Sequence, residues 1–382
     1  MSRKDPCVVA TRRRTVLEVD LAKVRDNFLK VLSRVSPAGV MAVVKADAYN
    51  LGVAAVVRTL HAAGCRRFGV ACPDEAREIL ALKLKGVRVQ LLSSVLPDEI
   101  EDMLRCGVDL PVVGEAEAKS ISAAAVKCGR KARVHFKVDT AMGRLGMAQS
   151  DAFEIIGRVC ALPNMVCEGL MTHFPSASDA ADPKTLLQIK AVEKLCSALK
   201  ARGVGFNFVH CAASDGINSF PEAFRGPFNL VRAGLDMYGG FSRAASRLGL
   251  EPVVTLKSRI AQVRDMPAGS PIGYSSTFVT RRRSRIAIVA SGYADGIPLA
   301  LSNRGHVSVN GVKCPFVGRV SMDYLAVDVS RSGEVKPGDT VVLLGGEGRN
   351  APTVCDWAKI KGTHPHDILC AFGPRIERVY RR

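Results

Sequence analysis

The stretch Gly39-Val40-Met41-Ala42-Val43-Val44-Lys45-Ala46-Asp47-Ala48-Tyr49 decides the fold, because an unbroken apolar run ends there on a lysine. A short run of Val and Met that follows Pro37-Ala38-Gly39 is typical of a buried parallel strand. Lys45 then stands at the carboxyl end of that strand, where a dry core meets a solvent-facing loop.

A lysine in this position is a candidate for covalent chemistry. Desolvation at the end of a buried strand favours the neutral amine over the ammonium ion. Only the neutral amine attacks an aldehyde to form a Schiff base, as with pyridoxal phosphate. The alternative for this segment is a lysine that extends its charged head from the strand end into solvent.

The composition indicates a globular protein that is large enough for two domains. The 382 residues, of which 47% are hydrophobic, can bury a large core. The twelve cysteines are scattered without a CxxC pair, and the first thirty residues carry charges in place of the apolar core of a signal peptide. We therefore expect a cytoplasmic protein without a metal site. No stretch approaches the roughly 18 apolar residues of a membrane helix, so no membrane partner is expected.

The chain is strongly basic, with 54 Lys and Arg against 36 Asp and Glu and a formal net charge of +18. Such an excess suits nucleic acid or an anionic small molecule. The basic runs Arg12-Arg13-Arg14 and Arg281-Arg282-Arg283-Ser284-Arg285 have no neighbouring aromatic pattern for stacking bases. We interpret them as solvated surface, and we expect a small-molecule substrate and no nucleic acid partner.

Apolar runs alternate with helical segments over the first two thirds of the chain. The eight apolar runs are Val40–Val44, Phe68–Ala71, Val87–Leu92, Val108–Val113, Ala132–Val138, Met165–Thr172, Phe206–His210 and Asn229–Arg232. Segments with helical spacing accompany them at Leu21–Val35, Val53–Ala63, Asp74–Leu84, Glu115–Cys128 and Pro183–Ala201. Eight such alternations predict an α/β protein with a (β/α)8 TIM barrel, which we assign to residues 1–245.

The pattern changes after about residue 245. Short strands separated by turn signals follow at Pro252–Val263, Ser284–Ser291, Gly305–Val309, Leu325–Val329 and Thr340–Leu344. Residues 246–382 are therefore expected to form a second, mainly β domain at the C-terminus.

Polar side chains cluster at the carboxyl ends of the predicted barrel strands, where barrel enzymes assemble their active sites. They are Lys45, Tyr49, Lys137, Asp139, Arg144, His173, Ser214, Arg232 and Gly234. The segments Cys211–Gly216 and Arg232–Leu235 follow the last two strands, and their small residues leave backbone N–H groups accessible to a phosphate. Small residues in loops are also ordinary turn formers, so each segment alone is a weak signal.

Taken together, these residues resemble the alanine racemase family, because several of its motifs occur in order across both predicted domains. The matching segments are Thr15–Leu21, Val43–Tyr49, Lys137–Gly146, Gly273-Tyr274, Gly292–Gly296 and Gly318–Asp323. The resemblance implies a pyridoxal 5'-phosphate enzyme, an isomerase that interconverts L- and D-alanine and supplies D-alanine for peptidoglycan. It also implies a homodimer in which each β domain contributes to the active site of the other subunit.

The resemblance further implies a role for each matching residue. Lys45 would hold the cofactor and act as the base on one face of the substrate, and Tyr274 of the partner subunit would act on the other. Arg232 would face the pyridine nitrogen, which stays unprotonated because a guanidinium keeps its proton. The other implied cofactor contacts are Tyr49, His173, Ser214, Gly234 and Leu235. Arg144, Met322 and Tyr293 would serve the substrate, and Lys137 matches a position that is carbamylated in some relatives.

Two positions depart from the family's pattern. Ala213 stands where the family usually has asparagine, and His366 stands where it has a tyrosine. We expect His366 to take the place of that tyrosine among the cofactor contacts, although an imidazole differs from a phenol in reach. The alternatives to an alanine racemase are a racemase for serine or for several amino acids, and a non-catalytic protein that binds pyridoxal phosphate.

Overall fold

Backbone pairing divides the chain into two units. The computed structural model describes residues 13–239, 248–346 and 350–381. One unit comprises Leu21–Pro252, and the other combines the residues up to Asp20 with those from Val253 onward. Each unit is described below by itself.

The first unit contains, within residues 21–239, eight parallel strands that close into a barrel. They are β2 (Gly39–Val43), β3 (Arg67–Val70), β4 (Arg88–Leu91), β5 (Leu110–Val112), β6 (Ala132–Asp139), β8 (Met165–Met171), β9 (Phe208–His210) and β10 (Leu230–Ala233). They pair as β10-β2-β3-β4 and β5-β6-β8-β9, and single bridges at Gln90–Asp109 and Ala213–Arg232 join the two groups. A short β7 (Met147–Ala148) also pairs with β6. The predicted (β/α)8 barrel is confirmed.

Helices connect the barrel strands. They are α1 (Leu21–Val35), α2 (Lys45–Asn50), α3 (Val53–Ala62), α4 (Pro73–Ala81), α5 (Ile100–Cys106), α6 (Glu115–Lys127), α7 (Gln149–Cys160), α8 (Lys184–Ala201), α9 (Ser214–Ser219) and α10 (Leu235–Tyr238). In α1 the buried residues recur every three or four positions, as an amphipathic helix requires. The buried Asn27 side chain donates to Met237 O (3.3 Å) and Glu251 O (2.8 Å), which ties α1 to the end of the unit.

The amino-terminal ends of the barrel strands carry a cluster of charges. Asp109 is buried, and its carboxylate pairs with Arg67, Arg88 and Arg133. The Arg67 guanidinium also lies 3.7 Å from the centroid of the Phe208 ring. Since a buried carboxylate is costly without partners, the three arginines stabilise this end of the barrel.

The second unit is mainly β. Its strands are β1 (Val16–Asp20), β11 (Val254–Met266), β12 (Pro271–Ile272), β13 (Phe278–Val279), β14 (Ser284–Val289), β15 (His306–Val309), β16 (Val312–Pro315), β17 (Leu325–Asp328), β18 (Thr340–Gly345) and β19 (Glu377–Arg381). The main sheet has the order β16-β15-β18-β11-β1-β19, with β14 joining β11 to β17. Within residues 350–381 the helices are α11 (Val354–Lys361) and α12 (Pro365–Cys370).

The unit boundary differs from the expected division at residue 245. Strand β1 was expected to belong to the barrel domain, but it pairs antiparallel with β11 and parallel with β19. Its backbone hydrogen bonds therefore belong to the β unit, which takes residues from both ends of the chain. Pairing between segments more than 200 residues apart leaves no local signal in the sequence.

We predict that Gly169→Ala destabilises the barrel. A Cβ at Gly169 would lie 2.2 Å from His135 Nδ1 and 2.9 Å from Phe208 O. Overpacking of this kind costs about 1–3 kcal/mol of unfolding free energy. Urea denaturation should therefore give a lower midpoint than for Gly205→Ala, whose Cβ would meet nothing within 4 Å. Equal midpoints for the two variants would contradict the packing described here.

Candidate active site

Lys45 opens a left-handed turn at the carboxyl end of β2. The backbone φ angles of Ala46, Asp47, Ala48, Tyr49 and Asn50 all lie between 52° and 63°. Each such residue costs roughly 1–2 kcal/mol when it carries a side chain. Runs of this strain persist only where other contacts hold them, and they concentrate at functional sites.

Side-chain carboxylates anchor this turn at both ends. Ala46 N donates to Glu75 Oε1 (2.6 Å), and Val53 N donates to Asp47 Oδ1 (2.6 Å). The turn holds Lys45 exposed and buries Tyr49. The expectation that Lys45 would be desolvated is therefore wrong, because β2 ends at Val43, two residues before the lysine, and the Lys45 side chain is exposed.

The desolvated lysine of this unit is Lys137, near the end of β6. Its Nζ donates to Leu92 O at 2.8 Å, and its side chain is buried. Burial, together with the charges of Arg232, Arg144 and Lys45, lowers the pKa of Lys137 to about 8. These four cations act on one another because the structure brings them to the same end of the barrel.

Arg232 lies one residue before the end of β10, and its guanidinium is enclosed by the neighbouring strands. Nη1 donates to His210 O (2.9 Å) and contacts His210 Nδ1 (2.9 Å). Nη2 donates to Thr172 O (2.7 Å) and Cys211 O (2.9 Å) and lies 3.3 Å from His173 Nδ1. Within the described chain Nε makes no hydrogen bond, so one N–H of a tightly held guanidinium is left for a ligand.

The protonation of this group follows from its burial. Burial lowers the pKa of Arg232 to about 10, which still leaves the guanidinium charged at neutral pH. Burial also lowers the pKa of His173 to about 3, helped by the charge of Arg232. The imidazole of His173 is therefore neutral and able to lie against an uncharged ring.

Tyr49, Ser214 and Gly234 converge on one point beside Arg232. Gly234 N and Asp236 N both donate to Ser214 Oγ, at 3.3 and 3.2 Å. A Cβ at Gly234 would lie 2.6 Å from Tyr49 Oη, so this approach requires glycine. The Tyr49 ring packs on Tyr238 with 4.9 Å between centroids. The set of O–H and N–H donors fits an anionic phosphate.

The loop that carries Arg144 is shaped by Asp139. Its Oδ1 accepts from Ala141 N (2.9 Å) and Met142 N (2.7 Å), and its Oδ2 accepts from Arg144 N (3.0 Å). One carboxylate therefore fixes the chain between the end of β6 and Arg144. Ala213 precedes α9 and forms a parallel β-bridge with Arg232.

The remaining predicted residues lie in the β unit. Tyr293 and Met322 are brought together, because Tyr293 N donates to Ser321 O (3.0 Å) and Ala294 N donates to Met322 O (3.1 Å). The N–H of Met322 has no hydrogen-bond partner in the described part of the chain. Both side chains are exposed, and Tyr274 is exposed by 71%. His366 lies in the first turn of α12 and is exposed.

Sequence reasoning missed His210 and His135, which extend the Arg232 network into the barrel. His210 Nε2 lies 3.0 Å from His135 Nδ1, and both rings are buried. Burial lowers the pKa of both histidines, to about 3 for His135. A histidine in each of two predicted barrel strands, flanked by Val134 and Phe136 in one and preceded by Val209 in the other, is the signal that could have located them.

Neither a metal site nor a membrane-spanning helix is found among the residues that the structure describes. No three His, Cys, Asp or Glu side chains lie close enough to bind a metal ion. None of the helices in the same residues combines the length and the apolar character needed to cross a membrane.

Family models match both units. The model described as "Alanine racemase, N-terminal domain" matches residues 19–242, and the one described as "Alanine racemase, C-terminal domain" matches residues 253–380. The alanine racemase of Halothermothrix orenii is 37% identical over 373 residues, which cover 97% of both chains. That of Desulforamulus reducens is 38% identical over 368 residues, which cover 95% of this chain and 98% of the relative.

Solved structures give the same result. The alanine racemase from Streptomyces lavendulae superposes with a TM-score of 0.91 at 33% identity and covers 97% of this chain and 98% of its own. The alanine racemase from Bartonella henselae with covalently bound pyridoxal phosphate gives 0.87 at 29% identity, covering 97% of this chain and 100% of its own.

We predict that Asp236→Asn changes how stability depends on pH. Asp236 is buried beside Ser214, its Oδ1 accepts from Asn218 Nδ2 (2.9 Å), and burial raises its pKa from 3.8 to about 7. Because the folded state holds this proton more tightly than the unfolded state, stability falls as the pH rises from about 4 to 7. The loss is at most about 4 kcal/mol.

Urea denaturation at pH 5 and pH 8 checks this prediction. The difference in unfolding free energy between Asp236→Asn and the unsubstituted protein should favour the variant more at pH 8 than at pH 5. The reason is that an amide has no proton to lose. Asp98→Asn, at an exposed surface position, is the control and should keep the original pH dependence. An Asp236→Asn protein with that same dependence would refute the assignment.

Proposed function

This chain belongs to the alanine racemase family, and from that premise we propose that it interconverts L- and D-alanine with two bases, Lys45 and Tyr274 of the partner subunit. It is an isomerase that depends on pyridoxal 5'-phosphate. The observation that carries the proposal is the convergence of Lys45, Lys137, Arg144, His173 and Arg232 at the carboxyl end of one barrel, beside a set of phosphate donors.

The residues of the barrel fit this cofactor. Tyr49 Oη, Ser214 Oγ and the N–H groups of Gly234 and Leu235 would hold the phosphate, in a cradle that a Cβ at Gly234 would fill. The unpartnered Nε–H of Arg232 would face the pyridine nitrogen, and the neutral His173 would lie against the ring. When it is bound, pyridoxal phosphate withdraws electrons from the α-carbon of an amino acid and so acidifies its α-proton.

Arg232 would determine how strongly the bound cofactor withdraws electrons. Its guanidinium is held by three backbone carbonyls and keeps its proton, so it donates a hydrogen bond without transferring a proton. Beside Arg232 a bound cofactor would therefore withdraw electrons less strongly than beside an acidic partner, which would favour return of the proton to the α-carbon over side reactions.

The two bases work on opposite faces of the substrate. The exposed Lys45 amine would take or return the α-proton on one face, and the hydroxyl of Tyr274 of the partner subunit would do so on the other. Arg144 and the Met322 N–H would bind the substrate carboxylate, with Tyr293 at the entry. Lys137 would orient Arg144, and His366 would help to hold the cofactor.

A homodimer with shared sites is part of the proposal. Tyr274, Tyr293 and Met322 are exposed in the β unit by 71%, 45% and 52%. Large exposed apolar side chains of this kind are typical of a surface that a partner covers. We place the enzyme in the cytoplasm, where its D-alanine would supply peptidoglycan synthesis.

Reduction with borohydride tests the role of Lys45. The treated holoenzyme should carry a pyridoxyl group on the peptide that contains Lys45, and Lys45→Ala should lose the label and lower racemisation by on the order of 10³-fold or more. Lys85→Ala, at an exposed position, is the matched control and should keep both. A label found on another lysine would overturn the assignment, and L-serine assayed in parallel measures substrate range.

Hybrid dimers test whether the sites are shared. Mixing inactive Lys45→Ala and Tyr274→Phe subunits places both substitutions in one site of each hybrid and leaves the other site intact. After random reassortment, activity should recover to about a quarter of the unsubstituted rate. Mixtures that stay inactive although hybrids form would show that each site is built from one chain.

A further inference from the structure

Arg375 lies just before β19 and joins two loops of the β unit. Its Nε donates to Asp295 Oδ1 at 3.1 Å, and its Nη2 lies 3.0 Å from the same oxygen. Its Nη1 donates to Asp323 Oδ1 at 2.7 Å. One planar guanidinium therefore spans two carboxylates, a geometry that a lysine ammonium cannot reproduce.

The two carboxylates stand next to residues proposed for the active site. Asp323 directly follows Met322, and Asp295 closes the short 3₁₀ turn Tyr293–Asp295. The other carboxylate oxygen of Asp295 accepts from Gly292 N at 3.0 Å, and the residue is buried. The Arg375 guanidinium thus contacts both loops, one through the anchored side chain of Asp295 and the other through Asp323.

The segment before Arg375 is fixed against the same turn. A Cβ at Gly296 would lie 2.4 Å from Ala371 O, and a Cβ at Gly373 would lie 2.8 Å from Ala294 O. The approach of these two backbone segments leaves no room for adjustment. The position of the Arg375 guanidinium is therefore set by backbone packing and not by the ion pairs alone.

The guanidinium is not part of the packed core. Its side chain is 48% exposed and borders a cavity of about 570 Å³ that Arg14 and Tyr324 also line. Exposed ion pairs add little to stability, since water screens them. Loss of Arg375 should therefore alter the geometry of the two loops more than it alters the folding of the unit.

We infer that Arg375 is a positioning residue that holds the Met322 N–H and Tyr293 in register for binding the substrate carboxylate. This inference rests on the proposed racemase function. Arg375 would act through its contacts with Asp295 and Asp323. Because it sets a binding contact and not the two bases, its removal should change substrate affinity before it changes turnover.

Steady-state kinetics of Arg375→Lys and Arg375→Ala test this inference. We expect both variants to raise KM for L-alanine about tenfold while kcat changes less than about threefold. Cofactor absorbance and thermal midpoint should match those of Arg331→Lys, an exposed control in the same unit. Millimolar guanidinium ion should restore KM in Arg375→Ala and leave Arg375→Lys unchanged.

The possible results distinguish a positioning role of Arg375 from a purely structural role and from the absence of any role. An unchanged KM in Arg375→Ala would overturn the inference, and so would a joint fall of kcat, cofactor content and thermal midpoint that guanidinium does not reverse. Asp323→Asn removes one arm of the clamp and should raise KM by a smaller factor, with no further increase when combined with Arg375→Ala. If the unsubstituted enzyme racemises no alanine, the proposed function fails before this inference is tested.

Discussion

The enclosure of the Arg232 guanidinium is the constraint on which the barrel site depends. A buried cation must be compensated, and three backbone carbonyls from the ends of neighbouring strands accept its hydrogen bonds. The same contacts lock the carboxyl ends of β8, β9 and β10 together. The side chains that follow these strands, from His173 to Gly234, therefore reach a common point, and the remaining N–H of Arg232 is left for a ligand.

The sequence predicts that one lysine, Lys45, is both desolvated and covalently reactive, whereas the structure buries Lys137 and exposes Lys45. Lys137 is buried among cations, and its pKa falls to about 8. Lys45 is exposed, because the left-handed turn after β2 carries it out of the core. The strain of that turn is offset by hydrogen bonds to Asp47 and Glu75. Lys45, the proposed covalent residue, is therefore accessible and not buried.

The β unit carries the proposed site residues Tyr274, Tyr293 and Met322 at exposed positions. Glycines at 292 and 296 allow the backbone segments to approach closely, and Arg375 joins the loops through two carboxylates. The exposed side chains of this unit contrast with the enclosed ones of the barrel.

The sequence by itself determined the eight barrel strands, the change to a β domain, the family, and the candidate residues at the strand ends. These features follow from local periodicity and from motifs that each occupy a few adjacent positions. Only the tertiary structure placed β1 in the β unit, buried Lys137 in place of Lys45, and revealed the network of Arg232, His210 and His135. Each of these depends on contacts between segments far apart in the chain, whose pairing and burial no local pattern encodes.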